Sequence, residues 1–253
     1  KGSEYMRKIL KTIKYIDEFD IDLFNKLNIG VEIQDFTEPN LTMEETIKII
    51  DNYRTTLKRF NGIKALHGPF LDLRPASPDL KIREVSIKRY LDTLYAAMEL
   101  NVDYVIFHSQ INPYLREPFL KRLNNRQSRD SWVDILNKTK YKGIILIENI
   151  FEESPDMLKE YIETINIPNI RINLDIGHAK LGKVSLEYWI KELKDYIDYI
   201  HIHSNNGVYD EHIAPSKEEI ENLYQLLDRY NMEPPLSLEY KINDLEKEIT
   251  KYL

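Results

Sequence analysis

IRINLDIGH, residues 170–178, decides the fold. Ile170, Ile172 and Leu174 alternate with the period of a strand, the run ends on a carboxylate, Asp175, and a glycine and His178 follow. The same pattern recurs along the chain. IKALH ends at His67, VDYVIFH at His108, IILIE at Glu148, YIHIH at His201 and His203, and PLSLE at Glu239. Acidic residues number 42 and histidines 6 among 253 residues, so a strand end would carry one of them by chance about one time in five. Six successive hits point to a built site.

Working outward, apolar runs of strand length alternate with stretches of helical period, which predicts repeated βα units around a parallel sheet. Strands are expected at 8–13, 29–33, 63–67, 102–108, 144–148, 170–175, 199–203 and 236–239, although KILKTIKYI at the first could equally begin a helix. Helices are expected at MEETIKIIDNYRTTLKRF, IREVSIKRYLDTLYAAMEL, DMLKEYIETI, SLEYWIKELKDYI, KEEIENLYQLLDRY and the terminal NDLEKEITKYL. Eight units of this length close into a single α/β domain, a (β/α)8 barrel over residues 1–253. In a barrel the C-terminal strand ends share one mouth, so His67 and Glu239 become neighbours despite their separation in sequence.

Composition narrows the chemistry. With no cysteine, disulfides, thiolate metal sites and cysteine nucleophiles are excluded, leaving nitrogen and oxygen ligands. Imidazole and carboxylate together suit borderline and hard divalent metals, and a buried cluster of them is costly without a cation. The net charge of −7 gives no general attraction to nucleic acid. The chain lacks a long uncharged apolar stretch, and KGSEYMRKIL lacks the apolar core of a secretory signal, so no membrane span and a cytoplasmic location are expected.

The candidate ligands extend past the strands. In DIGHAKLG, Gly177 is expected to permit a sharp turn that returns His178 to the mouth, where Asp175 and His178 serve adjacent metals. In HIHSNNGVYDEH, His201 and His203 share a strand face, and Asp210 and His212 share one if their loop is extended. His203, one pleat beyond His201, is expected outside the ligand set. The segment SQINPYLREPFLKRLNNRQSRDSW after His108 carries Arg116, Lys121, Arg122, Arg126 and Arg129; it reads either as a long loop at the mouth, which would meet phosphate, or equally as a solvated helix face with ordinary surface charge.

Through HGPFLDL, VIFHS, ILIEN, LDIGHAKLG, YIHIHSNNGVYDEH and LSLEY, nearly the whole chain resembles the xylose isomerase-like TIM barrel superfamily. This group includes sugar isomerases and epimerases, inosose-handling enzymes and the endonuclease IV family of DNA-repair enzymes (AP endonuclease family 2). The resemblance to the isomerases implies one divalent metal held by Glu148, Asp175, His201 and Glu239. The resemblance to the repair enzymes implies three zinc ions held by His67, His108, Glu148, Asp175, His178, His201, Asp210, His212 and Glu239, with Glu148 bridging. It also implies one to three divalent ions, zinc or manganese foremost, with a sugar or sugar phosphate as substrate and DNA as the alternative partner. In the first case Glu148 and Glu239 would be the acid/base pair; a third reading is a non-catalytic barrel that keeps the fold and a structural or regulatory metal without turnover, which the presence of both glutamates counts against.

Several departures from the repair enzymes weigh against DNA. IAPSKEEI follows DEH where a Gly-Glu-Gly-like turn is usual, Ser204 replaces an acidic residue, and the acidic loop DFTEPNLTMEE would repel a duplex. Phe70 and Leu71 stand where repair enzymes insert side chains into DNA, but the same HxPF pattern is frequent in sugar isomerases.

Overall fold

The computed structural model describes residues 7–252. The stretch KGSEYM and Leu253, the ends of the expected domain and of the expected last helix, lie outside the described residues. Eight parallel strands close in sequence order: β1 (Ile9–Ile13), β2 (Gly30–Ile33), β3 (Lys64–His67), β4 (Tyr104–His108), β5 (Ile144–Glu148), β6 (Ile170–Asp175), β7 (Ile197–Ile202) and β8 (Leu236–Leu238). The seam between β1 and β8 pairs Ile9 with Leu236 and Lys11 with Leu238. The chain is a single-sheet α/β barrel, as expected.

Between the strands run α1 (Ile21–Leu27), α2 (Met43–Leu57), α3 (Leu80–Leu100), α4 (Pro118–Thr139), α5 (Asp156–Ile165), α6 (Ile176–Leu181), α7 (Leu186–Leu193), α8 (Lys217–Arg229) and, after the last strand, α9 (Leu245–Ile249). Their starts are encoded locally. Asp20, Asp79, Glu117, Ser185 and Asp244 each accept from a backbone N–H of the first turn, while Thr42 and Ser216 form full capping boxes with Glu45 and Glu219. Among the described residues no helix is long and apolar enough to cross a membrane.

The period-two alternation sorts side chains into two layers. Val31, Ile33, Leu66, Val105, Phe107, Ile145, Ile147, Ile172, Leu174, Ile200 and Ile202 join the large cluster formed with the helices. On the opposite face Leu10, Ala65, Ile106, Leu146 and Tyr199 form a smaller apolar cluster. Two residues further along those same strands stand Thr12, His67, His108, Glu148 and His201. The barrel is therefore apolar at one level and polar at the next, nearer the C-terminal mouth.

One open alternative is decided, for the helix face, and one local expectation changes. The segment after His108 is a loop only to Glu117; α4 then takes Lys121, Arg122, Arg126 and Arg129 into a helix packed against α3 and α5. Glu117 caps it and Pro118 starts it, a signal masked by the density of charge. Lys121 pairs with Glu160 at 2.8 Å, so this helix side faces its neighbour and not a phosphate. Gly177 makes no sharp turn. It lies inside α6, which begins directly after Asp175, and the only glycine with positive φ among the described residues is Gly207.

Candidate metal centre

The nine candidate ligands meet at the mouth in three groups, within each of which one donor atom per residue lies within 4.8 Å of the others. His67, His108 and Glu148 form the first; Glu148, Asp175, His201 and Glu239 the second; and His178, His203, Asp210 and His212 the third, so that His203, expected outside the ligand set, stands among the possible donors. Glu148 belongs to two groups, as a bridging carboxylate would. His67, Glu148, Asp175 and His201 are buried, whereas Asp210 and His212 are about a third exposed, so the centre opens toward solvent on the third group's side.

Local structure explains each placement. Asp175 ends β6 and caps α6, its Oδ1 accepting from His178 N at 2.7 Å, which swings His178 back over the strand end within one turn. His212 has φ 48°, a left-handed conformation that histidine tolerates better than most residues. With the bridge between Ser204 and Ile213, this folds the Asp210–His212 segment onto the mouth. Phe70 stacks on His108 at 4.2 Å and 12°, while Leu71 is exposed.

Hydrogen bonding fixes what the histidines offer. A backbone carbonyl only accepts, so an imidazole nitrogen facing one carries the proton. Nδ1 of His67, His178 and His212 lies 2.9 Å from the carbonyl oxygens of Gly68, Asn149 and Glu239 respectively. In each neutral ring Nε2 is then a bare lone pair facing carboxylate: Glu148 for His67 at 3.4 Å, and Asp210 for His178 and His212 at 3.1 and 2.8 Å. His201 donates through Nε2 to Glu32 at 2.9 Å. Its buried Nδ1 makes no hydrogen bond, yet lies 2.9 Å from Glu239 Oε2, 3.3 Å from Glu148 Oε2 and 3.6 Å from Asp175 Oδ2. Lone pairs turned on carboxylates repel unless a proton or a cation stands between them. The donor set therefore fits divalent cations, and its all-nitrogen and oxygen chemistry suits zinc or manganese.

The electrostatics show the same demand for positive charge. Burial alone would raise Glu148, but the imidazoles of His201 and His108 outweigh it and hold its carboxyl well below the usual range. Burial likewise opposes, and His201 overcomes it for Glu239, which falls to about 2. Burial would lower His201, whereas Glu239, Glu32 and Glu148 carry it well above the ordinary imidazole value. His212, lowered by burial and raised more by its bond to Asp210, reaches about 9, and His108 is driven by burial down to about 3.

Four participants were not anticipated. Glu32, fully buried, accepts from His201 and from the Tyr199 hydroxyl at 2.9 Å each. Gln34 donates to Glu239 Oε1 at 2.6 Å, Asn173 donates to Glu148 Oε2 at 3.0 Å, and Asn149 clasps the Asp175 backbone at both its N–H and its carbonyl. A signal for the first existed: Glu32 stands between Val31 and Ile33 in GVEI, a charge inside an apolar strand. His203 sits between two groups, its Nε2 2.9 Å from Asp175 Oδ2 and its Nδ1 3.6 Å from Asp210 Oδ1.

Comparison with known proteins agrees with this architecture. The uncharacterized protein MJ1614 of Methanocaldococcus jannaschii is 34% identical over 252 residues, covering 95% of this chain and 96% of its own. The crystal structure of a D-tagatose 3-epimerase-like protein superposes with a TM-score of 0.77 at 23% identity, covering 97% of this chain and 96% of that one. An AP endonuclease, family 2, from Brucella melitensis does so with a TM-score of 0.68 at 16% identity, covering 94% and 95%. At those identities the solved structures share the fold. The model of the family described as "Xylose isomerase-like TIM barrel" matches residues 29–252, which include all nine converging donors, and the chain belongs to that family.

Proposed function

We propose that this protein is a divalent-metal-dependent isomerase or epimerase of a sugar or sugar phosphate, working by proton transfer beside a carbonyl. The observation that carries the reading is the buried quartet Glu148, Asp175, His201 and Glu239, whose donors lie within 4.8 Å of one another. These four residues would hold the ion, which when bound polarises a carbonyl and its neighbouring hydroxyl and so acidifies the intervening C–H. Both glutamates are held by one oxygen, Glu148 Oε2 by Asn173 and Glu239 Oε1 by Gln34. Their other oxygens, Glu148 Oε1 and Glu239 Oε2, face the imidazoles of His178 and His201 at 3.4 and 2.9 Å, and the low proton affinity of both carboxyls keeps them ionised near neutral pH, the form a base needs. The stacked Phe70 and His108 rings wall one side of the mouth.

The other two groups favour a second reading, an endonuclease IV-like, zinc-dependent phosphodiesterase acting at abasic sites in DNA, in which further ions neutralise a phosphodiester. The net charge of −7 and the placement of Arg122, Arg126 and Arg129 on α4 leave it the weaker of the two. One experiment separates them. Protein reloaded with manganese or zinc is incubated in deuterated water with a panel of ketoses and ketose phosphates, and separately with an abasic-site duplex at low salt. Deuterium entering at the carbon next to the carbonyl, reduced roughly 100-fold or more in Glu239→Gln, supports the isomerase. Efficient nicking with no exchange across the panel makes the phosphodiesterase the function.

A further inference from the structure

Each of the four central donors is held by a further polar side chain, buried in three cases and half-buried in that of Gln34. Asn173 holds Glu148, His203 holds Asp175, Gln34 holds Glu239 and Glu32 holds His201, at 3.0, 2.9, 2.6 and 2.9 Å. Three of these partners are amides or an imidazole. Glu32 is the exception, a carboxylate with no solvent exposure, placed one level below the mouth where Tyr199 and His201 both donate to its Oε2. Among the described residues no lysine or arginine forms an ion pair with it, and His201 is its one salt-bridge partner. A buried carboxylate in that position is expensive unless it acts through the imidazole it touches.

We propose that Glu32 is a positioning residue of the centre: by accepting the Nε2 proton of His201 it turns the Nδ1 lone pair to the ion and raises the affinity of the central quartet for divalent metal. The arrangement is a carboxylate–histidine–metal relay, in which the outer carboxylate fixes the tautomer and makes the inner nitrogen more basic. Strand geometry supports it. Glu32 lies on β2 and Gln34 follows its last residue, two positions on, so this one strand and its end hold His201 of β7 and Glu239 after β8. The inference rests on reading the quartet as a metal site and is independent of which reaction that site runs.

The test uses the full chain stripped of metal and titrated calorimetrically with zinc chloride. Glu32→Gln, which keeps the volume and removes the charge, is expected to weaken the tightest site by roughly 10–100-fold. Tyr199→Phe deletes another bond to the same carboxylate, which also accepts from Gln34 at 3.4 Å, while keeping the ring and the His201–Glu32 bond in place, and is expected to leave that affinity within a few-fold. An unchanged affinity in Glu32→Gln, or equal losses in the two variants, overturns the proposal. A second measurement needs no variant: nitrogen-15 chemical shifts of the wild-type imidazoles should show His201 protonated at Nε2 and zinc-bound at Nδ1. Zinc on Nε2 overturns it, and wild-type protein that takes up no zinc overturns the metal centre with it.

Discussion

Gly177 shows how a single missing methyl group shapes the mouth. In α6 its Cα faces the His203 ring, and a side chain there would overlap the imidazole. His203 cannot retreat, because its Nε2 is bound to Asp175 and its other face stacks on His212 at 3.9 Å and 6°. Gly177→Ala should therefore cost about 1–3 kcal/mol, as other overpacked cores do, and should disturb Asp175 and His212 together. Urea denaturation measures the first, and zinc affinity the second. The donors themselves were legible because each closes an apolar run or its tail, where alternation fixes the direction of the side chain. Glu32, Gln34, Asn173 and Asn149 were not, since they are recognised only by what they touch across the barrel. The role of Gly177 was misread for the same reason: a glycine after a strand suggests a turn, whereas the space it leaves is needed by a residue from β7's end.

The junction between α6 and α8 makes an electrostatic prediction. Glu219, third residue of α8, binds Ser216 N through Oε2 at 2.8 Å, while Oε1 accepts from Lys180 at 2.8 Å and Ser204 at 2.6 Å. Burial pushes its carboxyl up, but Lys180 and Ser204 outweigh that and bring it from an ordinary 4.5 to about 2. A group lowered on folding contributes stability that is fully present above its unfolded value and is lost as pH falls through its folded one. Glu219 should thus stabilise the protein above about pH 4.5 and lose that contribution on the way to about 2. Thermal midpoints near neutral pH and at about pH 3 should differ less in Glu219→Gln than in the wild type. Ser204, noted in the sequence for lacking the acidic character of some relatives, is part of this anchor. At this scale strands and most helices were legible from periodicity, while α1 and α6 were hidden by brevity and α4, with its run of charges, was legible only as one of two readings.

For the whole molecule the centre is a clasp on the barrel, because its donors come from six successive strands and the loops after them. An ion that binds only this assembly stabilises the fold by mass action, about 2.7 kcal/mol when free metal exceeds its dissociation constant about 100-fold. For a chain of 253 residues that corresponds to about 5–10 °C. Thermal scans with and without chelator should show this fall, restored by zinc or manganese but not by a monovalent salt, and no fall would argue against a resident ion. The eightfold closure was legible by counting units, whereas the two-level interior, apolar below and polar above, emerges only when alternation is laid on a closed sheet.

The seam between β1 and β8 also sets an order of events in time. Leu236 N donates to Lys8 O at 2.8 Å, and Glu239 follows the strand that this bond secures. A ribosome delivers the chain from its beginning, so His67, His108, Glu148, Asp175 and His201 exist for many seconds before Glu239 is even polymerised. During that interval the half-made cylinder has two open edges and a cluster of carboxylates short of its last donor. If the central quartet holds an ion, its four donors are complete only once the last strand has been made and has docked against the first.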